Sequence, residues 1–137
     1  MADAVAEGVA MIQAGEWYEA HEVLEVPWRQ ASGDTKLAIQ ALIQAAVSLE
    51  HLRRGNPRGA WGQWNKARKK MDALPAVILG VRLSDWREAL AEFYRRVDID
   101  ERSRRAVARE SMDGLSPLPP VSEWPVVASV AQGVPTA

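Results

Sequence analysis

Apolar positions return every three or four residues in successive runs along this chain, and that period belongs to amphipathic helices. From Asp3 to Ala14, Val5, Val9 and Ile12 keep the spacing until Gly15 breaks it. In the second run, Trp17 to Arg29, the residues Trp17, Ala20, Val23, Leu24, Pro27 and Trp28 fall within one arc, with the glutamates opposite. An interior proline forfeits a backbone hydrogen bond and clashes with the preceding turn, so this helix is expected to end or kink just before Pro27. The segment 31–35 reads as a loop in which Asp34 or Thr35 caps the next helix.

The third run, Lys36 to Arg54, is apolar almost all the way round, the mark of a central, buried helix. It stops at Gly55-Asn56-Pro57, where glycine ends one helix, Asn56 caps the next and Pro57 fills its first turn. Ala60, Trp64, Ala67, Met71 and Leu74 then form a packing seam that Pro75 terminates. An apolar stretch, 77–83, leads to Ser84, read as the cap of a fifth helix through Trp86, Leu90, Phe93, Tyr94 and Val97. A further short helix is expected between Asp100 and Met112. Beyond Gly114 the chain is rich in proline, so it is expected to be extended or disordered, with Trp124 and nearby valines as candidates for docking on the body. The fold class is therefore all-α: a compact bundle of about five helices in antiparallel hairpins over residues 1–113, with an extended proline-rich tail over 114–137. Two hairpins that start with glycine followed by alanine faintly suggest a tetratricopeptide-like unit, but the full repeat period is missing.

Composition narrows the class of function. Charged residues make up 26% and apolar residues 47%, the balance of a chain that folds. Seventeen basic against eighteen acidic residues give no field that would attract nucleic acid, so such a partner is not expected unless a local patch provides for it. The absence of cysteine removes thiolate chemistry and suits a reducing compartment, so a cytoplasmic location is expected. No stretch approaches the length of a membrane span, and no membrane partner is expected. A homo-oligomer is compatible with the sequence.

The polar residues on the two central helices carry the candidate chemistry. His21 lies at the edge of the apolar arc of the second helix, with Glu25 one turn on and Tyr18 and Glu22 along the same border. On the third helix Gln40, Gln44, Ser48 and His51 make one polar stripe on an otherwise apolar surface. Buried polar groups need partners, so the two helices are expected to face each other across a polar seam. Two imidazoles and one or two carboxylates suffice to hold a divalent metal with a position open to water, which makes His21, Glu25 and His51 candidate ligands and Glu22 an added candidate for acid-base work. Tyr18, Trp28, Gln40 and Gln44 are candidate ligand-binding residues. The zinc-protease spacing fails, because Glu25 stands where the second histidine should be. Against these readings stands a structural one, in which the seam only fixes how the helices pack. A third reading is a non-catalytic interaction module, with a tryptophan-lined groove for a peptide. The basic residues between Arg53 and Lys70 read as solvated helix ends, and Trp61, off the packing seam, as exposed or lining a groove.

The segment EWYEAHEVLEVPWR followed by LIQAAVSLEHLRRGNPRGA resembles the domain of unknown function 309 family, small helical proteins of bacteria and archaea, over about residues 5 to 75. The resemblance implies that Glu19, His21, Glu22, Glu25 and Trp28, then Gln44, His51, Gly55, Asn56, Gly59 and Ala60, are the marked positions. Glu50 and Pro27 depart from the pattern it leads one to expect. It implies a fold and the location of a site, and it supplies no reaction.

Overall fold

The computed structural model describes residues 2–105 and 118–130. Five helices follow one another: α1 (Ala2–Gln13), α2 (Trp17–Gln30), α3 (Gly33–Arg53), α4 (Pro57–Asp72) and α5 (Leu83–Arg96). A two-stranded antiparallel hairpin, β1 (Val77–Ile78) and β2 (Val81–Arg82), precedes α5, and short 3-10 turns occupy Glu101–Arg105 and Val121–Glu123. The all-helical class is thus as expected. The helix expected between Asp100 and Met112 is a 3-10 turn as far as Arg105, and its remainder, like the expected boundary at 113/114, lies outside the described residues.

The central element is α3, which packs on α2 along one side and on α4 along the other. Ala38, Ile39, Ala41, Leu42, Ala45, Ala46, Leu49 and Leu52 are buried, so its alanines let neighbouring backbones approach closely. On the far side of α2, α1 crosses at Gly8, where a Cβ would fall 2.4 Å from Leu24 Cγ. Gly15 and Gly55 take positive φ (78° and 75°) and end α1 and α3, as glycine after a helix allows. At the start of α4 the Gly59 amide donates to Asn56 Oδ1 at 2.9 Å, with Pro57 in the first turn.

Three local expectations are corrected. Helix α2 does not stop before Pro27 but runs on to Gln30 with the proline buried. Only the last turn lies beyond it, and burying its ring outweighs one forfeited hydrogen bond. Ser32 occupies the cap position of α3, without a side-chain bond, so Asp34 and Thr35 lie inside the first turn. Ser84 likewise lies inside α5, because β2 passes directly into the helix at Arg82. The apolar stretch 77–83 is the hairpin itself: Leu79 and Gly80 both have positive φ (56° and 72°), the geometry a two-residue primed turn requires.

Residues 118–130 are extended and stitched to the body. Trp124 is buried and stacks on Trp17 with centroids 5.4 Å apart, while Phe93 touches its ring at 5.3 Å. The Arg82 amide donates to Ala128 O and the Val130 amide to Gly80 O, which sets this segment beside the hairpin. Gln13 Nε2 donates to Val127 O at 2.9 Å and Trp86 Nε1 to Pro125 O at 3.3 Å. One segment therefore ties α1, α2, α5 and the hairpin together. Replacing Trp124 with alanine is expected to cost roughly 3–5 kcal/mol, the usual loss for a large buried aromatic. Urea unfolding followed by far-ultraviolet circular dichroism would measure it, and a loss below about 1 kcal/mol would mean that the segment is not part of the core.

Candidate functional site

Helices α2 and α4 flank α3 and leave a cleft of about 300 Å³ between them. Its lining follows helical spacing. His21, Glu25 and Trp28 descend one face of α2; Gln40, Ile43, Gln44 and Val47 form one stripe of α3; Gln63 closes the cleft from α4. Five of the residues marked out by sequence, His21, Glu25, Trp28, Gln40 and Gln44, are therefore brought together. Gln63 and the apolar floor of Ile43 and Val47 carried no signal of their own, because only the path of α4 aims a glutamine there.

The polar atoms of this cleft are unequally provided for. His21 Nδ1 lies 3.2 Å from the Tyr18 carbonyl; since a carbonyl only accepts, the neutral ring carries its proton on Nδ1 and leaves Nε2 as an acceptor. Glu25 accepts from Arg29 Nη2 at 2.8 Å, so its charge is offset from the same helix. The Lys36 ammonium sits 4.6 Å from the centroid of the Trp28 ring. Two atoms have no protein partner: the Trp28 Nε1–H and Gln44 Oε1 are both buried and unbonded.

The other expected members lie elsewhere. Tyr18 is 47% exposed, in edge contact with His21 and with the Arg54 guanidinium 5.8 Å from its ring centroid, and does not line the cleft. Glu22 is exposed to solvent. Ser48 turns about 80° away from Gln40 at roughly 100° per residue, toward α4. There it donates to Ala60 O at 2.7 Å and accepts from the Tyr94 hydroxyl at 2.5 Å, a buried knot in which burial holds the Tyr94 phenol far above its ordinary range.

His51 shares the face of Gln40 and Gln44 but lies where the chain returns into α4, and the first turn of that helix covers it. Asn56 uses its Oδ1 to cap α4, which turns its amide nitrogen to His51 Nδ1 at 3.2 Å and makes that nitrogen the acceptor. A Cβ on Gly59 would come within 2.7 Å of the His51 ring, so the glycine leaves room for the pair. Burial, then Arg54, hold the imidazole below its ordinary value, with Glu50 opposing. Glu50, polar where the family resemblance leads one to expect an apolar residue, is buried but receives Arg53 Nε at 2.8 Å, and Arg53 covers the Trp17 ring. Among the described residues no three histidine, aspartate or glutamate side chains converge as a metal-holding group. The expected set of His21, Glu25 and His51 is thus divided, because the helical hairpin closes over its third member.

Two predictions follow from these bonds. Ser48→Ala strands the Tyr94 hydroxyl and is expected to cost about 1–3 kcal/mol, whereas Tyr94→Phe leaves Ser48 bound to Ala60 and costs about 1 kcal/mol. The double variant should lose less than the sum, and strict additivity in denaturant unfolding would contradict the pairing. For His51, whose folded value lies below 6.5, the unfolded chain takes up the proton more readily. The stability it contributes is present above 6.5 and lost as the pH falls from there through the lower, folded value. His51→Gln, which keeps an acceptor for Asn56 but does not titrate, should flatten the fall in melting temperature between about pH 8 and pH 5.5; an unchanged slope would rule this origin out.

Among known proteins, an "Uncharacterized protein" of Aquifex aeolicus (strain VF5) is 32% identical over 79 residues, 57% of this chain. The chain spans about a quarter of that relative's length, 24%. No activity is attached to that relative's name. Residues 5–63, which hold every lining residue of the cleft, match the family model described as "Domain of unknown function (DUF309)", the family the sequence resembles.

Proposed function

We propose that the cleft between α2 and α4 binds a small uncharged molecule presenting a hydrogen-bond acceptor beside a donor, as carboxamides and cyclic amides do. The observation that carries this reading is a pair of unpartnered buried atoms, the Trp28 Nε1–H donor and the Gln44 Oε1 acceptor, on two residues that line one small cleft. Each such atom costs about 1–3 kcal/mol when left unmade, and a ligand that pairs with both recovers that cost. The remaining surroundings favour a neutral guest. Glu25 is already offset by Arg29, the amides of Gln40 and Gln63 can donate or accept, and Ile43 and Val47 provide an apolar floor. His21 adds an acceptor at the wall through Nε2. A volume of about 300 Å³ suits a small molecule and not the peptide of an interaction module.

Nicotinamide, 2-pyrrolidinone and uracil serve as probes, with benzoate as the charged control. In nitrogen-edited proton spectra, at least one of the three should shift the Trp28 indole resonance saturably, and Gln44→Met should abolish that shift. Failure of all three, or an equal response to benzoate, would sink the ligand class. The free protein gives an independent check: Gln44→Met removes an orphaned acceptor, so stability should stay level or rise by up to about 1 kcal/mol. A clear loss would mean that the Gln44 carbonyl already serves a structural bond.

A further inference from the structure

Away from this cleft, α4 presents a second face. Its buried side is Ala60, Trp64, Ala67 and Met71; on the other side Arg58, Trp61, Asn65 and Lys69 follow spacings of three, four and four, with Gly62 and Lys66 beside them. Together with the 3-10 turn at Glu101–Arg105 this face forms a groove of about 1170 Å³, much larger than the α2–α4 cleft. Across the groove, Arg102 is paired with Asp100 and Arg104 with Glu101. On α4, Arg58, Lys66 and Lys69 are exposed and have no acidic partner among the described residues. Mutual repulsion is felt here: Lys70, just behind, is held below its ordinary value by burial and then by Lys66.

One aromatic side chain, Trp61, lines the groove. Trp61 is half-buried, with the Arg68 guanidinium 5.9 Å from its ring centroid, and Arg68 is itself held by Asn65 at 2.5 Å. One residue on from Trp61, a Cβ on Gly62 would meet nothing within 4 Å apart from its chain neighbours, so the helix surface at this point of the groove lining is open. The three free cations span about 16 Å along the helix at roughly 1.5 Å per residue, too far apart for a single phosphate. A repeating anion whose monomers carry flat rings satisfies both features at once: phosphates follow the cations while a ring stacks at Trp61. Duplex nucleic acid offers the same charge but keeps its bases inside the helix, out of reach of a recessed indole. A membrane surface would call for cations on a convex face, and these line a concave one.

We propose that the groove between α4 and the 3-10 turn binds single-stranded nucleic acid, with Arg58, Lys66 and Lys69 on the backbone and Trp61 as a base platform. The balanced net charge of the chain does not oppose this, because the cations are concentrated on one helix face. The test is fluorescence anisotropy of a labelled oligothymidylate of about 12 nucleotides against the full chain at low salt. Saturable binding is expected, weakening with salt at a log–log slope of about −2 for three neutralised phosphates. Lys66→Glu with Lys69→Glu should reduce affinity at least tenfold and flatten the slope, about as much as two lost phosphate contacts imply. Trp61→Ala should reduce it about tenfold while Trp61→Phe retains most of it. Gly62→Leu puts a bulky apolar side chain into the open groove lining without altering charge, and should weaken binding while a helix-favouring residue maintains the fold. Absence of saturable binding overturns the proposal. So does a duplex of equal phosphate count binding as tightly, or tripolyphosphate competing as well as the oligonucleotide. Charge reversal abolishing binding while Trp61→Ala and Gly62→Leu leave it unchanged also overturns it, since that describes a site for any polyanion.

Discussion

Helix α3 has almost no surface that water can usefully solvate, and the rest of the molecule is arranged to cover it. Its alanines permit α2 and α4 to lie close on either side, and α5 closes over it through Tyr94. The Ser48 hydroxyl fixes the register of that closure, because it donates to a carbonyl of α4 and accepts from a phenol of α5. A buried hydroxyl with one donor and two acceptor sites is used here at two of them, so neither helix can slide without stranding a polar group. A strip of α3 that its two neighbours leave half-covered, Gln40, Ile43, Gln44 and Val47, lines the cleft.

Polar groups in this protein divide according to whether the fold itself satisfies them. Ser48, Tyr94, Glu50, Asn56 and His51 have protein partners, and all but Glu50, which pairs with Arg53 within α3, hold one element against another. Trp28 Nε1 on α2 and Gln44 Oε1 on α3 do not, although Gln44 lies on the same helix as Ser48, Glu50 and His51. The contrast sets groups that the fold pairs apart from a buried donor and acceptor on two residues that line one small cleft. A similar contrast runs through the cations. Arg53, Arg87, Arg95 and Arg96 are tied to carboxylates, whereas Arg58, Lys66 and Lys69 on the open face of α4 have none among the described residues.

The C-terminal segment shows how a stretch without helical periodicity joins such a bundle. Pro119, Pro120 and Pro125 interrupt it, and its only helical piece among the described residues is the 3-10 turn at Val121–Glu123, yet Trp124 fills a space between α2 and α5. Its carbonyls at Pro119, Pro125 and Val127 accept side-chain donors from Trp124, Trp86 and Gln13. The docking therefore rests on side chains of distant elements as well as on pairing beside the hairpin.

The sequence by itself determined the five main helices, the buried nature of α3 and the capped turn at Asn56, and it put His21, Glu25, Trp28, Gln40 and Gln44 forward as neighbours. These follow from local causes: a period of 3.6, glycine's access to positive φ, and the cost of burying amides. It could not settle how far the polar stripe of α3 stays open, since His51 and Gln44 share a face and differ only in what lies over them. The return of the chain into α4 decided that, by laying Asn56 and Gly59 against the imidazole. The same is true of Pro27, which is a helix breaker by its own chemistry and a helix residue once its ring is buried. Tertiary structure alone brought Gln63 to the cleft and gathered the open cations of α4 around Trp61, because those neighbours depend on where whole helices lie and not on any spacing along the chain.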